Sequence, residues 1–365
     1  WLSQRAILSE QGEKNRGRLL TSGDLLEGVL ISDREIEPVV NAWMYSSYAT
    51  HPKKHDIKKC FNQLLAQLIR EKGITPRPVT WASKPRPKLM VIFERFGSEH
   101  AMFRCYAPSI RTLNQHFDTV ALADKSCVDE AVDGLFDTVI RLGRPRPTVE
   151  RIVHLIQEQQ PDMIWYPSLG MAHWTVMVAG MRLAPIQVMT HGHPATSMLD
   201  SIDYAYVCQM EGDLSAIHSE RVITGMPTAA FDAPAHLPED LPALLPPSER
   251  EVRIAVNSKV MKLSWRLIDI CKRLQRNAEV PVKFSFFPGE FHANMDGLHA
   301  AIQAQLPSAA VVPYVNYQRF LDEIAKCDMA LAAFPFGNTN STVDTCLSGL
   351  PTVVHLGPES PAHTD

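Results

Sequence analysis

VRIAVNSKVMKLSWRLIDICKRLQRNAEVPVKFSFF, residues 252–287, decides the fold. Val252–Val256 is a short apolar run of the kind a buried strand needs. Leu263–Leu274 then places apolar residues at helical spacing, and Val282–Phe287 returns to a strand. Strand, helix and strand in this order make a βαβ unit, because parallel strands need a crossover long enough to hold a helix. The alternation continues toward the C-terminus. Helices are predicted at Asn294–Leu306, Tyr317–Ala325 and Thr342–Leu347, and strands at Ala309–Val312, Met329–Phe334 and Thr352–Leu356. Upstream, Pro234–Pro247 holds five prolines, which cannot all sit in a helix or a central strand, so it reads as a linker. Before it lies a second alternating block. Its strands are predicted at Leu89–Phe93, Val120–Leu122, Met163–Trp165, Ile186–Met189 and Tyr204–Cys208. Thr148 caps a helix there, with Ile152, Val153, Leu155 and Ile156 facing inward.

Residues 1–85 read as helical, most clearly Asp56–Glu71, where Ile57, Phe61, Leu64, Leu65 and Leu68 recur at spacings of three and four. The lysines at its start, Lys53, Lys54, Lys58 and Lys59, are expected to form a solvated face. The reading is therefore α/β, with two Rossmann-like blocks facing a cleft. Its units are an all-helical domain at 1–85, a first block at 86–233, a proline-rich linker at 234–248 and a second block at 249–365.

Composition excludes several function classes. The 365 residues carry a net charge of −4, without the basic excess of a nucleic-acid binder. No run of about 18 apolar residues exists to span a membrane. The seven cysteines are scattered with no C-x-x-C pair, which argues against a disulfide framework or a zinc site and for free thiols in a reducing compartment. Trp1–Arg18 has no apolar segment of signal-peptide type, so the expected location is cytoplasmic.

Ligands of open parallel sheets bind beyond the C-terminal ends of strands, so the loops after strands carry the information. FPFGNTNSTVD, Phe334–Asp344, follows a strand and opens a helix. Asn338, Thr339 and Asn340 present amides, a hydroxyl and backbone N–H groups at a helix N-terminus, an anion site suited to a diphosphate. Asp344, one turn in, is placed to bond a ribose hydroxyl. The plainer reading is N-capping by a polar turn. Asn257–Leu263 follows the first strand of the second block, with Ser258 in the turn and Lys262 where the next helix is expected to start. A cation there opposes the helix dipole unless it faces an anion; otherwise it is a surface lysine. Thr-His-Gly-His-Pro, Thr190–Pro194, puts His191 and His193 around a turn at Gly192, and without a third ligand these read as cleft histidines rather than metal ligands. His100 and Arg104 share a helix face if that helix starts near Ser98. They are then a polar pair at the cleft, or else a capping histidine and a surface arginine. No Asp-x-Asp occurs to hold a diphosphate-bridging metal.

Taken together, Arg182–Tyr204, FPFGNTNSTVD and SGLPTVV resemble glycosyltransferase family 41, which includes O-GlcNAc transferases and bacterial cytoplasmic N-glycosyltransferases of adhesins. YPSLGM at Tyr166–Met171, FGSEHAMFR at Phe96–Arg104 and KKHDIKK at Lys53–Lys59 resemble the bacterial branch. The resemblance implies a GT-B fold with the sugar nucleotide held mainly by the second block. It implies metal-independent, inverting transfer of a hexose, usually glucose, from a UDP-sugar to Asn in N-x-Ser/Thr sequons of a polypeptide, with no cofactor. By the same resemblance Lys262 contacts the diphosphate with Ser258, Asn338, Thr339 and Asn340, and Asp344 contacts the ribose. Gly192 and His193 face the donor, and His100 and Arg104 lie near the acceptor and sugar. The chain departs from that pattern at Tyr314, where a histidine closing on the nucleotide is frequent, and at Lys259, where a small hydroxyl residue is common. The alternatives are an O-linked, GlcNAc-type transferase and a non-catalytic GT-B-like binding module. The resemblance also implies that Trp1 and Asp365 are cuts in a longer enzyme.

Overall fold

A computed structural model of the chain describes residues 2, 6–81, 84–208, 213–225 and 251–357. The predicted linker at 234–248 lies outside the described residues. Three helices come first: α1 (Glu10–Leu20), α2 (Asp33–Ser46) and α3 (Ile57–Glu71). A first α/β unit follows, with β1 (Lys88–Phe93), α4 (Ala101–Leu113), β2 (Asp118–Asp124), β3 (Thr138–Leu142), α5 (Val149–Gln159), β4 (Met163–Tyr166), α6 (His173–Ala179), β5 (Ile186–Thr190), β6 (Tyr204–Cys208) and β7 (Arg221–Gly225). The second unit contains β8 (Val252–Val256), α7 (Trp265–Asn277), β9 (Val282–Phe286), α8 (His292–Gln303), β10 (Ala310–Val311), α9 (Tyr317–Ile324), β11 (Met329–Leu331), α10 (Asn340–Leu347) and β12 (Thr352–Val353).

The strands form two all-parallel sheets, ordered β3-β2-β1-β4-β5-β6-β7 and β10-β9-β8-β11-β12. Each order reverses beside its own first strand, between β1 and β4 and between β8 and β11. That reversal opens a crevice at the strands' C-terminal ends. Central strands have both faces covered and read as apolar runs; Leu89–Phe93 is buried throughout. Three elements left no such signal. β3 and β7 are sheet edges with half-exposed residues, and α6 is only seven residues long.

The N-terminal helices do not enclose a core of their own. Trp43, Phe61, Leu64 and Leu68 join Met90, Ile92, Tyr166 and Trp174 in one cluster on a face of the seven-stranded sheet. α4 covers the opposite face with Met102, Tyr106 and Ile110. The N-terminal region also touches the second unit: Ile7 makes a parallel bridge to Ser264, and Gln305 Nε2 donates to the Leu8 carbonyl at 3.0 Å. Two of the four lysines expected on a solvated face are buried. Lys54 donates to the Ala49 carbonyl at 3.1 Å, and Lys58 lies 4.1 Å from the centre of the Trp43 ring. A helix's exposed face is defined by what packs on it, and here α3 is packed on both sides.

Candidate functional site

The loops after β1, β5, β8 and β11 converge between the two units. After β11, the Gly337 carbonyl accepts a hydrogen bond from Lys262 Nζ, so the lysine reaches the polar loop. Lys262 does not open α7, as the sequence suggested. Val260–Lys262 is a single 3-10 turn, and α7 starts at Trp265 behind Ser264, whose hydroxyl accepts the Leu267 N–H at 3.2 Å. Ser264 wins the cap because its side chain satisfies an otherwise orphaned helix donor. Asn338 is buried and clamped to the β8 loop. Its Oδ1 accepts from Ser258 Oγ at 2.8 Å, and its Nδ2 donates to the Asn257 carbonyl at 2.8 Å. Thr339 precedes α10 with φ 53° and ψ −99°, a conformation side chains with a Cβ rarely adopt, and its hydroxyl does not cap the helix. Thr342 Oγ1, in the first turn of α10, is buried with no hydrogen-bond partner among the described residues. A strained residue and an orphaned polar atom thus coincide at one helix start, a combination that clusters at ligand sites.

Asp344 is already engaged. Its Oδ1 accepts from Arg104 at 3.3 Å and from Tyr317 Oη at 2.6 Å, and all three groups sit between α4, α9 and α10. Burial raises the Asp344 pKa, opposed by the Tyr317 bond and the Arg104 charge. Cys105 Sγ donates to Asn340 Oδ1 at 2.8 Å, so α4 docks on α10 through two consecutive residues. Arg104 is buried, 4.8 Å from the centre of the Tyr317 ring, so the plainer alternative of a surface arginine does not hold.

His100 is the N-cap of α4 rather than a residue within it. Its Nδ1 accepts the Met102 N–H at 3.2 Å, which assigns the ring proton to Nε2. Burial lowers its pKa to about 4, helped by the charges of Arg95, Lys259 and Arg104. Lys259 lies beside Glu290 and 5.9 Å from the centre of the half-exposed Tyr314 ring, which itself meets Phe291 at 4.8 Å. Burial lowers the Lys259 pKa, and Glu290 opposes the shift. Gly289 has φ 68°, a conformation that favours glycine, and a Cβ there would meet the end of the Lys259 side chain.

The two histidines of the His-x-His pair face different surroundings. His191 lies against Tyr106 at 5.6 Å, whereas His193 Nε2 meets Ser47 Oγ at 3.1 Å and its ring stacks on Phe336 at 5.5 Å. His193 is held well below the usual imidazole range by burial and by Lys58, His55, Lys262 and Lys54. Gly192 is a point of close approach: its N–H donates to the Pro167 carbonyl at 2.9 Å, and a Cβ would overlap Pro167, Met102 and Ser168. Among the described residues no group of three or more His, Cys, Asp or Glu is placed to hold a metal ion. No helix of the described residues is long and apolar enough to cross a membrane.

The structure thus brings Lys262, Ser258, Asn338, Thr339 and Asn340 together, adds Arg104 and Asp344 as a pair, and puts His193 against Phe336. Sequence reasoning missed Tyr317, Ser47, Asn257 and Glu290. Tyr317 was readable only as the first residue of a helix, Asn257 only as the first residue of the β8 loop, and Ser47 and Glu290 have no motif that marks them.

No protein-family model matches the chain. Two curated relatives, both UDP-glucose:protein N-beta-glucosyltransferases of Actinobacillus pleuropneumoniae (serotypes 5b and 7), are each 30% identical over 333 residues, 89% of this chain. The chain spans 54% of the length of each. Among solved structures, a point mutant of the Thermobaculum terrenum O-GlcNAc transferase superposes with a TM-score of 0.63 at 18% identity, covering 97% of this chain and 70% of that one. Two parallel Rossmann-like sheets with their strand ends converging on a shared cleft have the architecture of the GT-B glycosyltransferases.

Proposed function

We propose that the chain is part of a protein N-glycosyltransferase. It would move a hexose, glucose first, from a UDP-sugar to the Asn side chain of N-x-Ser/Thr sequons in a polypeptide such as an adhesin, with inversion and without a metal. The observation that carries the reading is the start of α10, where Lys262 meets the Gly337 carbonyl next to the strained Thr339 and the orphaned Thr342 hydroxyl. The names of the two Actinobacillus relatives support the donor and the class of acceptor.

In the reaction the acceptor nitrogen bonds to the sugar's anomeric carbon as the bond from that carbon to the diphosphate oxygen breaks, and the nitrogen gives up one of its two protons to water. Charge grows on the leaving UDP. Lys262 and the backbone around Asn338–Asn340 stabilise it, with Ser258 holding Asn338 in place. Asp344 would meet a ribose hydroxyl through its second oxygen, because Oδ1 is held by Arg104 and Tyr317. Tyr314 offers an exposed ring to the uracil. A carboxamide nitrogen is a poor nucleophile, so positioning must supply much of the rate. His100 and Arg104, neighbours at the start of α4, orient sugar and acceptor, while Gly192 and His193 line the donor side.

Transfer is tested with UDP-glucose, UDP-GlcNAc and an N-x-T peptide, read by mass spectrometry. The expected product is a hexose on Asn. Attachment to Ser or Thr, or addition of an N-acetylhexosamine, overturns the reading. Lys262→Ala should lower transfer by about 10²–10³ with circular dichroism unchanged; full activity in that variant removes the diphosphate role of Lys262.

A further inference from the structure

We infer that Lys58 and Asn62, on the N-terminal helix α3, are positioning residues for the loop His191–Met198 and through it for His193. The inference rests on the proposed function for what that loop serves. Its physical content is independent of it.

Lys58 and Asn62 are one turn apart and share a face of α3. Lys58 Nζ donates to the Thr196 carbonyl at 2.7 Å. Asn62 Nδ2 donates to the carbonyls of Ser197 at 3.1 Å and Met198 at 2.6 Å. Three consecutive carbonyls of the loop are therefore held from one helix. The holders are themselves fixed by Trp43 of α2, which stacks under the Lys58 ammonium and donates its indole N–H to Asn62 Oδ1 at 2.9 Å. On the other side of the loop, Glu220 accepts the Thr196 hydroxyl at 2.8 Å and the Ser197 N–H at 2.7 Å. The grip ends on Met198, whose φ of 55° is unfavourable for a methionine and persists only where its surroundings over-determine it.

Burying an ammonium is costly, and a methionine would fill the same space without that cost. What the lysine adds is a directional, charge-assisted bond. The other end of the loop carries His193 to Phe336, whose neighbour Gly337 receives Lys262. A loop released from α3 would therefore shift His193 relative to the donor side of the cleft, while Lys262 and Asn338–Asp344 keep their own contacts.

The test uses Lys58→Met and Asn62→Ala in the full chain. It reads hydrogen exchange of the 191–198 amides, UDP affinity by calorimetry, and kcat and KM for transfer to an N-x-T peptide. The expected result is exchange in 191–198 faster by about tenfold, kcat lower by about tenfold or more, and UDP affinity within about twofold of the parent. Unchanged kcat with only a lower melting temperature would overturn the inference. So would exchange accelerated equally throughout the chain in both variants, since α3 would then support the fold alone. If the parent chain transfers no sugar, the proposed function fails, and exchange in 191–198 still decides the positioning role.

Discussion

The imidazole of His100 stays neutral at pH 7 for two reasons. It is buried, and Arg95, Lys259 and Arg104 all face it with positive charge. An imidazole NMR titration of the free chain should therefore give a midpoint near 4, well below the unfolded value of about 6.5. The stabilisation linked to this group is present above about pH 6.5 and is lost as pH falls toward 4, because the unfolded chain then binds a proton that the folded chain refuses. Adding UDP should move the midpoint upward, since a diphosphate offsets the surrounding cations. A midpoint unmoved by saturating UDP would separate His100 from the donor. Arg104 and Asp344 are the second residue-scale case. Both are buried, so Arg104→Met leaves a carboxylate without its cation and should cost about 3 kcal/mol in denaturant unfolding. Arg104→Met combined with Asp344→Leu should recover most of that loss. The spacing of His100 and Arg104 made them candidates in the sequence. The partner of Arg104 was not legible, because it lies 240 positions away and nothing local marks it.

Among the elements, α10 is the one that starts on a strained residue, Thr339. Its helical run and polar start were readable in Asn338–Thr342, but the backbone strain at Thr339 was not, since threonine is a poor choice for a positive φ. Thr339→Gly should therefore raise stability by about 1 kcal/mol in thermal unfolding while weakening UDP binding. A stabilised variant with undiminished UDP affinity would show that the strain serves only the fold. The strands repeat the same lesson. β1, β2 and β4 were legible because burial on both faces demands apolar runs, whereas edge strands β3 and β7 meet no such demand. Met329–Phe334 shortens to Met329–Leu331 for a related reason: its outer neighbour, β12, pairs over only two residues.

At the scale of the whole molecule, the N-terminal helices and the seven-stranded sheet stand or fall together. Trp43, Phe61 and Leu68 complete a core whose other half is Met90, Ile92, Tyr166 and Trp174. A chain starting at residue 86 would expose that half, and it should show little near-UV circular dichroism and rapid proteolysis, whereas the full chain resists both. A well-packed, protease-resistant fragment would contradict the shared core. Apolar periodicity, capping residues and turn formers are local properties, so the amino-acid sequence alone determined the βαβ alternation, the parallel sheets and the loops proposed to carry the site. Burial is not local: it depends on what the chain later lays over each residue. Only the tertiary structure decided that Lys58 is an internal anchor rather than a solvated charge, and that Asp344 meets Arg104 before it meets any ligand.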